Sequence, residues 1–115
     1  MEIRLLREPD TQEFWDLRLR ALQEEPEAFA ATFEEEVTKT VETVANRFRE
    51  VWSSEENFIL GAFTNGKLVG CVGFYREQRV KLRHKGNLWG MYVVPDARRK
   101  GVGRLLMEAI IEKSS

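Results

Sequence analysis

Four basic side chains and two glycines share seven consecutive positions in Arg98-Arg99-Lys100-Gly101-Val102-Gly103-Arg104. Behind them Val102, Leu105, Leu106, Ala109 and Ile110 recur at helical spacing, which predicts a helix starting near Gly101. Such a helix start can hold an anion. First-turn N–H groups lack intrahelical acceptors, the dipole adds partial positive charge, and glycine lets a phosphate reach the backbone. The other reading of the same residues is a solvated basic helix start whose glycines only shape a turn. Two familiar phosphate loops are excluded. No Gly-Lys-Ser/Thr closes a mononucleotide loop, and Lys100-Gly101 has that order reversed. A dinucleotide fingerprint would need its third glycine at Leu106 and its first directly after the strand, where Pro95 to Lys100 intervene.

The chain is nearly neutral, with 18 Lys and Arg against 19 Asp and Glu, yet its charges are segregated. Residues 79–104 carry Arg79, Lys81, Arg83, Lys85, Arg98, Arg99, Lys100 and Arg104 against Asp96 alone, so that segment favours an anionic ligand. The front is acidic. Glu24, Glu25, Glu27, Glu34, Glu35 and Glu36 form a run without Lys or Arg between Ala21 and Thr38. It reads as a solvated face or as an attraction for a cationic amine. His84, between Arg83 and Lys85, reads as a surface residue, and Glu77 has no better claim to catalysis; general base and general acid both stay unassigned. Cys71 lies in an apolar strand and reads as a small buried hydrophobe. With one Cys and one His there is no zinc ligand set, and no metal is expected.

The elements that position the basic turn follow from periodicity. A length of 115 residues suits one domain, and 43% apolar residues with three prolines argue for a folded chain. Residues 2–7 read as a strand, and Asp10 with Glu13 as a capping box opening a helix with Phe14, Leu17 and Ala21 inward. An acidic connection follows, in which Phe29 and Phe33 read as core or lid. A second helix is predicted over Thr40 to Ser53, capped by Thr40 or Thr38. Asn57 to Phe63 and Lys67 to Tyr75 flank Asn65-Gly66, the strongest short hairpin signal. Asn87 to Val94 is nearly all apolar, as in a strand buried on both faces, and its Gly90 suggests a bulge. The fold class is α/β (α+β): a mixed, mostly antiparallel sheet with flanking helices. The N-terminus has no apolar leader region and no stretch is long enough for a membrane span, so the expected setting is soluble and cytoplasmic.

The stretch Trp89-Gly90-Met91-Tyr92-Val93-Val94-Pro95-Asp96-Ala97-Arg98-Arg99-Lys100-Gly101-Val102-Gly103 resembles the acetyl-CoA motif of the GNAT superfamily of N-acetyltransferases. In that motif an apolar strand and a proline turn precede Arg/Gln-x-x-Gly-x-Gly/Ala at a helix start, matched here by Arg98, Gly101 and Gly103. The upstream element order is also the family's. The resemblance implies the acyl-CoA N-acyltransferase fold, and acetyl-CoA as cosubstrate. Its pyrophosphate would lie on the amides of Arg99, Lys100, Gly101, Val102, Gly103 and Arg104. Its pantetheine would run beside Met91, Tyr92 and Val93, and Gly90 would fit the bulge that splays that strand. A backbone N–H at Met91 to Val93 would polarise the thioester carbonyl. A neutral amine on a small molecule or a protein would attack directly, with no covalent enzyme intermediate.

The family normally continues past this helix, so the resemblance implies a domain truncated at its C-terminal end within residues 1–115. Other readings stay open. One is a CoA-binding but inactive fragment, and another is a nucleic-acid module using residues 79–104, although no recognised binding motif is present. Neither nucleic acid nor membrane is expected as a partner. The edge of the strand over Asn87 to Val94 would be left open, which predicts a homodimer or element-swapped oligomer.

Overall fold

In this computed structural model the structure describes residues 1–24, 33–54, 56–76 and 86–114. Asn65 and Gly66 both take positive φ, as a two-residue type I′ turn requires, and join β2 (Asn57–Thr64) to β3 (Lys67–Arg76). With β1 (Glu2–Leu5) and β4 (Gly86–Val93) these strands form one sheet in the order β1-β2-β3-β4. Where the sequence suggests a mixed sheet, every pairing among the described strands is antiparallel, because no crossover connection returns a strand beside a parallel neighbour.

Helices cover both faces. On one lie α1 (Thr11–Glu24) and α3 (Val41–Glu50), with the one-turn α2 (Phe33–Glu36) between them in sequence. On the other lies α5 (Val102–Ser114), preceded by the one-turn α4 (Pro95–Arg98). The sheet's alternating side chains feed two cores. Ile59, Phe63, Leu68, Cys71 and Tyr92 meet Phe14, Leu17, Val44 and Phe48 on the first face. Phe58, Leu60, Val72, Phe74 and Val93 meet Val102, Leu106 and Ile110 on the second. Burying each of the larger of these side chains contributes about 1.5–3 kcal/mol.

Local detail departs from the periodicity at several points. Asp10 and Glu13 form no capping box. Asp10 instead accepts the Arg7 N–H at 2.8 Å within a 3₁₀ turn over Glu8–Asp10, and Glu13 accepts the Leu68 N–H at 3.2 Å, tying α1 to β3. Thr40 is the cap of α3, accepting the Thr43 N–H at 3.2 Å. The strand expected to be buried on both faces is so only toward its C-terminal end, since Leu88 is 43% exposed. No helix among the described residues is long and apolar enough to cross a membrane.

This packing makes two substitutions informative. A Cβ on Gly73 would stand 2.2 Å from the indole of Trp89, its partner across the β3–β4 ladder. Gly73→Val must displace that ring, so its urea midpoint should fall by the equivalent of about 1–3 kcal/mol, with loss of the near-ultraviolet tryptophan signal. Arg4 donates two hydrogen bonds of 3.0 Å to Asp10, and these hold the Asp10 carboxyl below its usual range. A folded-state value below the unfolded one, about 3.9, gives stabilisation that is present above that pH and lost as pH falls through the folded value. The gap in urea midpoint between the parent and Asp10→Asn should therefore narrow as pH is lowered from about 6 to about 3.

Candidate functional site

The basic turn and the strand before it meet in a groove. Pro95 pre-sets the first turn of α4, and Gly101 at φ +73° then redirects the chain, a conformation that side-chain-bearing residues rarely adopt. The Gly101 carbonyl accepts the Leu105 N–H at 3.1 Å, the first bond of α5. The N–H groups of Val102, Gly103 and Arg104 precede that bond and so have no intrahelical acceptor. The Val102 side chain is fully buried against Gly70, so that residue offers only its backbone.

Facing this helix start is the outer edge of β4. The Val94 N–H donates to Val69 of β3 at 2.9 Å, so by antiparallel alternation Tyr92 also spends its backbone on β3 while Val93 directs its N–H and carbonyl outward. The Arg98 Nε donates to that outward Val93 carbonyl at 2.8 Å, which leaves the Val93 N–H on the edge. A Cβ on Gly103 would lie 3.4 Å from Met91 and 3.9 Å from Val93, ordinary contact distances, so the first turn of α5 lies directly beside the side chains of β4.

The ladder between β3 and β4 slips here. Tyr92 pairs with Cys71 and Trp89 with Gly73, so Gly90 and Met91 together oppose Val72 as a β-bulge, with Gly90 at φ +61°. This is the bulge that Gly90 suggests in sequence. It places Trp89 and Tyr92 on the α1 face, whereas strict alternation would put Trp89 with Met91 and Val93 on the α5 face.

On the α1 side of the bulge is a cavity of about 440 Å³, walled by Phe14, Trp15, Trp52, Tyr75 and Trp89. Trp52 and Trp89 lie 5.5 Å apart at 34°. Four charged side chains line it: Arg18, Glu36, Lys39 and Arg47. Glu36 is only 6% exposed, with Lys39 Nζ at 2.8 Å and Arg18 at 4.0 Å. Arg18 also lies over the Trp89 ring, and its guanidinium is 3.3 Å from where a Cβ on Gly90 would be.

The residues singled out in sequence are thus sorted. The backbones of Val93, Val102, Gly103 and Arg104 and the half-buried Met91 lie together where α5 starts beside β4, with the Val93 and Val102 side chains buried between sheet and helix. Arg99, Lys100 and Gly101 are exposed beside it, and Arg104 also pairs with Glu108 at 3.0 Å. Arg98 holds the strand edge and lies over the Tyr92 ring. The Tyr92 side chain turns away from the groove and donates to Glu24; burial, then that bond, push the phenol up to about 12. The same bond and Arg20 hold Glu24 below its usual range. Cys71 is buried, donates to the Gly90 carbonyl at 3.6 Å, and burial raises its thiol to about 12, so it is no nucleophile at neutral pH. Glu34 is exposed while Glu36 is buried, so the acidic run is not one solvated face. Glu25, Glu27, Phe29, Glu77, Arg79, Lys81, Arg83, His84 and Lys85, and the side chains of Phe33 and Glu35, lie outside the described residues. The cavity is what sequence reading missed. Trp15, Trp52 and Trp89 are far apart in the chain, and only the bulge brings Trp89 to the face of the other two.

Comparison with known proteins agrees with this architecture. Residues 7–114 match the acetyltransferase (GNAT) family model, and the chain belongs to that family. It is similar to an acetyltransferase of the GNAT family from Streptococcus pneumoniae, at 28% identity and TM-score 0.82, with 98% of this chain and 66% of that one covered. A ribosomal-protein-alanine N-acetyltransferase from Brucella melitensis biovar Abortus 2308 shows 27% identity and TM-score 0.69, with 98% and 70% covered. An aminoglycoside acetyltransferase from an uncultured soil metagenomic sample, solved with sisomicin, shares the fold at 20% identity and TM-score 0.70, with 98% and 68% covered. The chain therefore spans about two thirds of the length of these structures. No curated protein matches significantly.

The groove generates a direct test. Gly103→Val fills the space facing Met91 and Val93 at a helical position that tolerates a side chain. It should leave the urea midpoint within about 1 kcal/mol of the parent while weakening CoA binding at least roughly tenfold by calorimetry.

Proposed function

We propose that this chain carries the cosubstrate site of an N-acetyltransferase that moves an acetyl group from acetyl-CoA to a primary amine in a cytoplasmic setting. The observation that supports it best is that three first-turn N–H groups of α5 lie beside the edge of β4 that no described strand pairs with. CoA fits this groove in kind: an anionic pyrophosphate for a helix start, and an extended amide-bearing arm for a strand edge. When bound, acetyl-CoA supplies an activated acyl group as a thioester.

The chain's own residues have separable tasks. The amides of Val102, Gly103 and Arg104 receive the pyrophosphate, with screened help from the exposed Arg99 and Lys100. The half-buried Met91 lies beside the arm, and Val93 contributes its backbone there. The outward Val93 N–H polarises the acyl carbonyl and steadies the charge that develops on its oxygen. Arg98 keeps the carbonyl of the same residue occupied, which fixes the edge in the geometry that aims this N–H.

A thermal-shift series tests the reading. Acetyl-CoA or CoA at a hundredfold excess over Kd should stabilise the fold by roughly 2.7 kcal/mol, and nicotinamide dinucleotides should do far less. No shift with either CoA form in a folded sample would sink the proposal. A shift without release of free thiol across a panel of amines would leave CoA binding and remove transfer.

A further inference from the structure

We infer that Tyr92 is a positioning residue for the cosubstrate, one that acts through Arg98 and links the last turn of α1 to the outward edge of β4. This rests on the CoA reading above and extends it to the opposite face of the sheet. Val93 directs its N–H outward on that edge, and its carbonyl accepts from the Arg98 Nε at 2.8 Å. Arg98 stands on the exposed one-turn α4, where a long side chain has much rotamer freedom to lose. Something must hold it. Its guanidinium lies over the Tyr92 ring at 5.5 Å, and a ring face attracts a cation. The Tyr92 ring projects to the α1 face while the carbonyl of the next residue lies on the edge, so Arg98 spans the corner between them.

The ring is itself fixed at both ends. Its body is 2% exposed within the core under α1, and its hydroxyl donates to Glu24 in the last turn of that helix. Glu24 also accepts from the Arg20 Nε at 3.0 Å, one turn earlier, so the carboxylate that receives the hydroxyl is anchored on the helix. Arg20, Glu24, Tyr92, Arg98 and Val93 thus form one continuous chain of contacts from α1 to the cosubstrate edge. Its contribution is pre-organisation. An edge already held in the binding geometry loses less freedom when an extended ligand pairs with it.

Calorimetric titration with CoA of the parent, Tyr92→Phe, Glu24→Ala, Arg98→Met and the double variant Tyr92→Phe/Arg98→Met tests this, each sample being checked as folded by circular dichroism. Tyr92→Phe keeps the buried ring and removes only the tether. It should weaken CoA binding about threefold, a loss on the scale of one freed side chain. Arg98→Met should weaken it roughly tenfold, and adding Tyr92→Phe to Arg98→Met should cost nothing further, because Tyr92 acts through that guanidinium. A merely structural role would give the same loss in both backgrounds. Glu24→Ala is a test of sign. Removing a carboxylate near an anionic ligand would by its field alone tighten binding, whereas loss of the tether predicts weakening of about threefold. Unchanged affinity in Tyr92→Phe or in Arg98→Met, equal losses from Tyr92→Phe with and without Arg98, or unchanged or tighter binding by Glu24→Ala would each overturn the inference. If the parent binds CoA, any of these outcomes removes only the positioning role; if the parent does not bind it, the CoA reading and this inference fall together.

Discussion

Gly90 at φ +61° is the constraint on which both halves of the site depend. A strand paired along one edge normally alternates its side chains without interruption, and that would send Trp89 to the α5 face. The extra residue at Gly90–Met91 breaks the alternation once. Trp89 then lies over Gly73 and against Trp52 on one face, while Met91 and Val93 pack on the α5 side. A residue with a Cβ at position 90 would be strained by its φ and would crowd Arg18. The bulge therefore joins a strand edge with an outward backbone donor to a cavity walled by aromatic rings.

Helix α5 sets the other side of the groove through ordinary packing. Val102 and Leu106 are completely buried and seat on Gly70 of β3, whose missing side chain lets the helix approach to within 3.2 Å of a would-be Cβ. Deep seating of the first turn fixes where its free N–H groups point, so an apolar contact on one side of Val102 positions polar groups on the other. Arg98 works in the same direction. Its guanidinium is spent on the Val93 carbonyl and the Tyr92 ring, leaving Arg99 and Lys100 as exposed charge.

Much of this is legible in the order of the residues alone. Asn65-Gly66 specifies the hairpin, Pro95 and the glycines specify the turn into α5, and the apolar run marks β4, because each rests on backbone chemistry confined to a few residues. The failures share a cause as well. Glu13 looks like half of a capping box but accepts the Leu68 N–H, 55 residues away in sequence, and no local rule sees that partner. Leu88 looks buried and is exposed, since burial on the second face depends on what else covers the sheet. The cavity is hidden for the strongest reason: its wall depends on a bulge whose position can be guessed from Gly90, but whose effect on Trp89 emerges only when β3 and β4 are set in register.

Glu36 shows how the wall of this cavity is held together. A carboxylate that is 6% exposed is costly without a partner, and removing one member of a buried pair typically costs about 3–5 kcal/mol. Lys39 and Arg18 meet that requirement, and Arg18 in doing so ties the one-turn α2 to α1. Among the described lining residues the same wall carries Arg18, Lys39 and, from α3, Arg47. Removing Arg18 would therefore loosen the segment that forms this part of the wall.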